Sequence, residues 1–295
     1  MRHLLDIGDL GPDGLVEVLA LARDPHPQAV LAGKGAALLF EKPSARTRHS
    51  MEMAVVGLGG HPVTVRADEV GLDERETAED VTRTMACYHA VLGARVFDHG
   101  VLERMAAIDA IPVVNMLSDR AHPLQALADL LTVTDAFPGR TDLTVAYVGD
   151  ANNVARSLAA ACTMAGIAVR VVTPPGYGFG PDDVAALSDG GAAIEFLTDP
   201  EVGVAGANVV YTDVWASMGQ EDEAARRKAD FAGFTVDDTL MAAAAPDAIF
   251  LHCLPAHRGE EVSASVVDGP RSRVWEQAAN RMHAARGALS WVVAP

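Results

Sequence analysis

A chain of 295 residues with 49% hydrophobic and 21% charged side chains can bury one large core or two smaller ones, and is too apolar to stay disordered. Its formal net charge of −17 excludes general affinity for nucleic acid or anionic membranes and makes any local gathering of arginines informative. Three cysteines (Cys87, Cys162 and Cys253) without metal-ligand spacing, no apolar run long enough for a membrane span, and an early Asp6 where a secretory signal would be apolar predict a cytoplasmic protein with reduced thiols.

In chain order, Leu10, Leu15, Val18, Leu19 and Leu21 give residues 9–22 the spacing of an amphipathic helix. Strands are expected at 36–40, 62–65, 90–95 and 112–115, and helices at 47–58, 77–88, 101–108 and 123–134. Residues 135–141, with Pro138-Gly139 as a turn, read as a linker between a first domain, 1–135, and a second, 141–270. There the alternation restarts, with strands at 143–148, 168–172, 192–197, 208–212 and 248–252. Helices are expected at 153–165, 184–187, 222–229 and 237–244, and a closing helix at 274–293 is expected to return to the first domain. Such alternation builds parallel sheets covered on both faces.

Ligands of these sheets bind beyond the carboxyl ends of the strands. Five polar groups follow expected strands. Ser44-Ala45-Arg46-Thr47-Arg48 precedes a helix that either Ser44 or Thr47 could cap; it reads as a phosphate site or as a solvated basic helix start. Arg95 ends a strand, as a site residue or a surface charge. Pro123 fits the first position of a helix, which puts His122 at its edge and Gln125 on its first turn, facing one ligand or, for His122, acting only as a cap.

The fourth group, Gly149-Asp150-Ala151-Asn152-Asn153 with Asp213 to Gly219, lacks the Gly-x-Gly-x-x-Gly spacing of a dinucleotide site. Asn152, Asn153, Asp213 and Ser217 instead suit a substrate bearing an ammonium and a carboxylate, with Asp213 as a helix cap the alternative. The fifth is His252-Cys253-Leu254-Pro255-Ala256-His257-Arg258, where histidines and an arginine would lower the pKa of the Cys253 thiol. No base is assigned to make Cys253 a nucleophile, and a metal at His252, Cys253 and His257 lacks a remote ligand pair. Cys87 and Cys162 read as structural thiols inside helices.

These five groups in this order, with Asn280-Arg281-Met282-His283 near the end, resemble the aspartate/ornithine carbamoyltransferase family over nearly the whole chain. Asp213…Ser217-Met218 and Cys253-Leu254 resemble its ornithine branch. The resemblance implies two doubly wound parallel-sheet α/β domains closing over carbamoyl phosphate and L-ornithine, which react to L-citrulline and phosphate in arginine metabolism. It implies a homotrimer or a multiple of trimers, with sites at subunit boundaries, and no metal or organic cofactor.

By the same resemblance Ser44, Ala45, Arg46 and Thr47 hold the phosphate, while Arg95, His122 and Gln125 orient carbamoyl phosphate and polarise its carbonyl. Arg281, Cys253 and Leu254 place the carbonyl oxygen; Asn153, with Asn152 the close alternative, joins Asp213, Ser217 and Met218 in holding ornithine. Arg95, His122, Asp213, Cys253 and Arg281 form the implied catalytic set. The sequence departs from the family pattern at Ala45, where many relatives carry threonine, and in 66–76, which lacks the usual glutamine and offers Arg75 in its place. A carbamoyltransferase for putrescine or an acylated ornithine is the nearest alternative. A dinucleotide oxidoreductase and a catalytically silent scaffold are more distant ones.

Overall fold

The structure, a computed structural model, describes residues 1–188, 191–216 and 221–294. By internal contacts the chain forms two units, one of Met1–Ala128 with the chain from Ala279 onward, the other of Asp129–Ala278.

The first unit contains α1 (Gly11–Arg23), β1 (Gly35–Phe40), α2 (Ala45–Gly57), β2 (His61–Arg66), α3 (Ala67–Val70), α4 (Ala78–Ala86), β3 (His89–Arg95), α5 (His99–Ala107) and β4 (Val113–Leu117), and α6 (Pro123–Ala136) begins in it. Its four parallel strands lie in the order β2-β1-β3-β4. β1 and β4 are almost wholly buried, as strands of a sheet covered on both faces are. Ala37, Leu39, Leu92 and Ala94 on one face pack against Leu102 and Met105 of α5.

The second unit contains β5 (Thr144–Val148), α7 (Asn153–Met164), β6 (Ala168–Val172), α8 (Pro181–Ser188), β7 (Ile194–Leu197), α9 (Pro200–Val204), β8 (Val209–Thr212), α10 (Ala224–Asp230), α11 (Asp238–Ala243), β9 (Ile249–His252) and α12 (Ala264–Val267), and α13 (Val274–Val293) begins in it. Its five parallel strands run β7-β6-β5-β8-β9. Tyr147 and Tyr211 sit opposite each other in β5 and β8 and stack, with ring centroids 5.7 Å apart. Each sheet is doubly wound. The order reverses between β1 and β3 in the first and between β5 and β8 in the second, and at such a reversal the connections diverge and leave a crevice for ligand.

Within the first unit, the later part of α13 packs on α1 through Gly287. A Cβ there would lie 2.5 Å from the Val18 carbonyl oxygen and 2.9 Å from the Ala22 Cβ, so only glycine admits this approach. Arg286 donates to the carbonyls of Ala22 and Asp24 near the end of α1, and the Trp291 indole N–H donates to Glu17. Among the described residues no helix is long and apolar enough to cross a membrane.

Three short helices, α3, α9 and α12, fall where the sequence predicts none. Helices of four or five residues are too short for a 3.6-residue period to register. Their signals are local: the Asp199 cap before Pro200, the Ser263 cap, and left-handed Gly71 after α3. By contacts the division between the units lies within α6, after Ala128, and within α13, before Ala279.

Candidate active site

In the first unit, polar side chains gather at the carboxyl ends of β1, β3 and β4. Ser44 is extended (φ −151°, ψ 112°), and its Oγ accepts the Thr47 backbone N–H at 3.4 Å. Ser44 is therefore the cap of α2, and Thr47 stands on its first turn. The leading N–H groups of a helix lack intrahelical partners and carry its positive dipole end.

Thr47 is buried, and its hydroxyl is the meeting point of the cluster. It accepts from Ser44 Oγ, Arg95 Nη1 and Arg281 Nη2, each at 3.2 Å. Arg281, which α13 brings in from the far end of the sequence, also donates through Nη1 to Gln125 Oε1 and lies 3.3 Å from His122 Nε2. Arg95, His122, Gln125 and Arg281 are all buried. Burial first, then the charges of Arg281, Arg95 and Arg46, hold the His122 pKa well below the usual imidazole value. A neutral His122 beside three guanidinium groups leaves the cluster strongly positive in a chain of net charge −17. Arg48 stands apart: it donates to Glu52, which also accepts from Thr64.

In the second unit the corresponding cluster is built on a carboxylate. Asp213, just past β8, is buried and accepts from its neighbour Val214 N at 2.8 Å, from Asn152 Nδ2 at 2.9 Å and from Cys253 Sγ at 2.9 Å. Asn152 is held in turn because its Oδ1 caps α7, accepting from Val154 N and Ala155 N. The side chain joined to Asp213 is thus that of Asn152, while Asn153 is the first residue of α7. Ser217 and Met218 lie outside the described residues.

The neighbours that the sequence suggests for Cys253 have partners of their own. Arg258 pairs with Asp268, the backbone N–H of His257 goes to Glu261, and both ring nitrogens of His252 are engaged, one by Leu254 N and the other by Glu261. The thiol donates to a carboxylate instead. Asp213, His252 and Cys253 each present an atom within 4.8 Å of the others, but a metal there would have to break a His252 bond. A second such group, His257, Glu260 and Glu261, has Glu260 paired with Lys228 at 3.0 Å. Cys162 is buried, and burial pushes its thiol pKa up; Cys87 ends α4 and is exposed, so only the former fits the structural reading.

Sequence reasoning missed three supporting residues. Arg227 Nη1 donates to Asp150 at 2.8 Å and to the Trp215 carbonyl at 2.9 Å, and burial raises the Asp150 pKa despite this partner. Gln277 accepts from His252 N and donates to Asp129 and to the Tyr211 hydroxyl. Glu261 is buried against His252. The contacts just named span 9 to 148 positions, so no local spacing marks them. Arg75, in the loop after α3, donates to the Glu69 carbonyl at 2.8 Å.

Two parallel-sheet units, each with polar side chains gathered at the carboxyl ends of its strands, define a two-domain α/β protein. The chain belongs to the aspartate/ornithine carbamoyltransferase family: the carbamoyl-P binding domain of that family matches residues 2–135, and its Asp/Orn binding domain matches residues 141–292. The ornithine carbamoyltransferase of Thermus thermophilus is 48% identical over 292 residues, covering 98% of this chain and 95% of that one. That of Acidothermus cellulolyticus is 47% identical over 302 residues, covering 99% and 97%. Among solved structures, ornithine carbamoyltransferase from Pyrococcus furiosus superposes with a TM-score of 0.93 at 42% identity, covering 99% of this chain and 97% of that one. The anabolic enzyme from Campylobacter jejuni superposes with a TM-score of 0.95 at 31% identity, covering 99% of each.

Proposed function

We propose that the chain transfers the carbamoyl group of carbamoyl phosphate to the side-chain amine of L-ornithine, giving L-citrulline and phosphate. The observation that carries this reading is the opposite charge of the two clusters. Arg46, Arg95 and Arg281 act together on His122 in the domain matched as carbamoyl-P binding, and Asp213 stands with Asn152 in the domain matched as Asp/Orn binding.

The chemistry follows from those charges. The attacking amine must be neutral, since an ammonium has no lone pair. Asp213, with its two oxygens oriented by three donors, can hold the amine and take up or relay its proton, with the Cys253 thiol as neighbour. As the C–N bond forms, the carbonyl oxygen gains negative charge, and Arg95, His122, Gln125 and Arg281 are the groups suited to stabilise it, with Cys253 and Leu254 helping to place it. The C–O bond then breaks, and the electron pair leaves with phosphate. Ser44, Ala45, Arg46 and Thr47 at the start of α2 would hold that leaving group. Asn152 or Asn153, with Ser217 and Met218, would bind the amino-acid end of ornithine. No step calls for a metal or an organic cofactor; holding two reactants in line supplies much of the acceleration.

A panel of amine acceptors tests this reading. Purified protein with carbamoyl phosphate is expected to form citrulline from ornithine, and no product at high enzyme concentration would overturn it. Preference for putrescine or an acylated ornithine would replace ornithine as acceptor. We also propose a cytoplasmic homotrimer, or a multiple of it, serving arginine biosynthesis; the Pyrococcus furiosus relative, 45% identical over 273 residues, is named anabolic. Light scattering coupled to size-exclusion chromatography checks the assembly, and a monomer or simple dimer would refute it.

A further inference from the structure

Between β9 and α12 the chain makes a tight excursion whose two ends meet on one carboxylate oxygen. Glu261 Oε1 lies 3.1 Å from His252 Nε2 and accepts the backbone N–H of His257 at 2.6 Å. The side chains of His252 and Glu261 are both fully buried. The other ring nitrogen of His252, Nδ1, accepts the backbone N–H of Leu254 at 2.8 Å. A backbone N–H can only donate, so Nδ1 carries the lone pair and the ring proton sits on Nε2, pointing at Glu261. A ring protonated on both nitrogens would set two N–H groups against each other at Leu254.

Leu254 has φ +58°, a left-handed conformation that a branched side chain rarely adopts. Such a conformation persists only where its surroundings over-determine it, and the bond from Leu254 N to His252 is one such restraint. The residue between them, Cys253, donates its thiol hydrogen to Asp213. A buried carboxylate–imidazole pair contributes little net stability once its desolvation cost is counted, whereas it can select one local conformation.

We infer that Glu261, acting through His252, is a positioning residue for Cys253 and Leu254 beside Asp213, which rests on the reading of Asp213 as the amine-holding carboxylate. Glu261 makes its ring partner a fixed tautomer, the ring holds the Leu254 N–H, and the thiol is thereby aimed at the carboxylate. A misplacement of about 1 Å in such a site lowers the rate about 100-fold.

The test compares wild type with Glu261→Leu, Glu261→Asp and Glu261→Gln, each as kcat per folded molecule. Leucine cannot accept, and aspartate falls one methylene short of its two donors; both are expected to lower kcat about 100-fold, with KM for ornithine and carbamoyl phosphate within about threefold. Glutamine keeps an oxygen for both donors, and its amide hydrogens face His257 Nδ1, which lies 3.7 Å from Oε2; kcat is expected to recover to within about fivefold of wild type. Nitrogen-15 NMR of the imidazoles is expected to show His252 as the Nε2–H tautomer in wild type. Glu261→Asp with unchanged kcat, Glu261→Gln as impaired as Glu261→Leu, or His252 as the Nδ1–H tautomer would each overturn the inference. If Glu261→Leu fails to fold, the aspartate and glutamine variants decide it. A wild type that forms no citrulline would instead count against the proposed function, and the tautomer measurement would still stand on its own.

Discussion

Asp213 offers two oxygens to three donors, and those donors come from just past β8, from the cap of α7 and from just past β9. Under the proposed function, a carboxylate held this way would receive the amine without reorganising. Asp213→Asn keeps the shape, but its amide nitrogen faces donors where an oxygen stood. Loss of a hydrogen bond to a charged group costs about 1.5–3 kcal/mol. kcat/KM for ornithine is therefore expected to fall roughly 10- to 150-fold, with the response to carbamoyl phosphate less affected. Steady-state kinetics with each substrate varied checks this, and equal losses on both sides would remove Asp213 as the amine holder. His122 gives a pH signature. Its folded pKa lies well below 6.5, so below that pH the unfolded chain binds a proton that the folded chain resists. Its contribution to stability is full above about pH 6.5 and declines as the pH falls, by up to about 1.4 kcal/mol per pH unit for one proton. Burial lowers the pKa of His89 and His99 as well, which adds to the slope with the same sign. Urea midpoints between pH 7 and 5 are expected to show a shallower slope in His122→Gln; an unchanged slope would mean that His122 takes up its proton normally.

Among the elements, α2 brings the phosphate-type donors together, and Ser44 decides where it starts. Ser44→Ala removes the acceptor for Thr47 N and one donor to the Thr47 hydroxyl. A lost cap of this kind costs about 1 kcal/mol, which chemical denaturation would read. Affinity for phosphate is expected to weaken with it, because the first turn of α2 loosens where the anion would sit; a variant destabilised but unchanged in phosphate affinity would separate the cap from the site. Much of this level was legible in the sequence. β1 is a continuous apolar run, and α7 and α13 begin at the residues their polar-to-apolar pattern marks, Asn153 and Val274. The strand-end rule led to Arg95, His122, Asp213 and Cys253 because it needs only topology. It could not say whether Ser44 or Thr47 caps α2, or whether Asn152 or Asn153 faces Asp213. Adjacent residues on a helix start differ by about 100° of rotation, and only the built turn shows which side chain points inward. Nor could it find Glu261 or Gln277, whose partners are set only once the segment before α12 and the start of α13 pack on the end of β9.

For the whole molecule, charge separates local from global effects. At −17 the protein repels anions at long range, so an anion that binds does so against the average field, through the gathered guanidinium groups and the start of α2. Inorganic phosphate is the leaving group of the proposed reaction and can be added alone. A ligand that binds only the folded state stabilises it by mass action, by about 2.7 kcal/mol at a hundredfold excess over its Kd. Phosphate is thus expected to raise Tm progressively with concentration, beyond sodium chloride at matched ionic strength, which only screens the self-repulsion. Arg46 is exposed, so Arg46→Ala is expected to leave Tm without phosphate nearly unchanged while cutting the phosphate-dependent rise. Differential scanning calorimetry of both proteins across a phosphate series reads the two effects separately. An equal rise in the variant would place the anion elsewhere than the start of α2. A rise matched by sodium chloride would mean that screening of the overall charge accounts for it and that the arginine cluster does not bind phosphate.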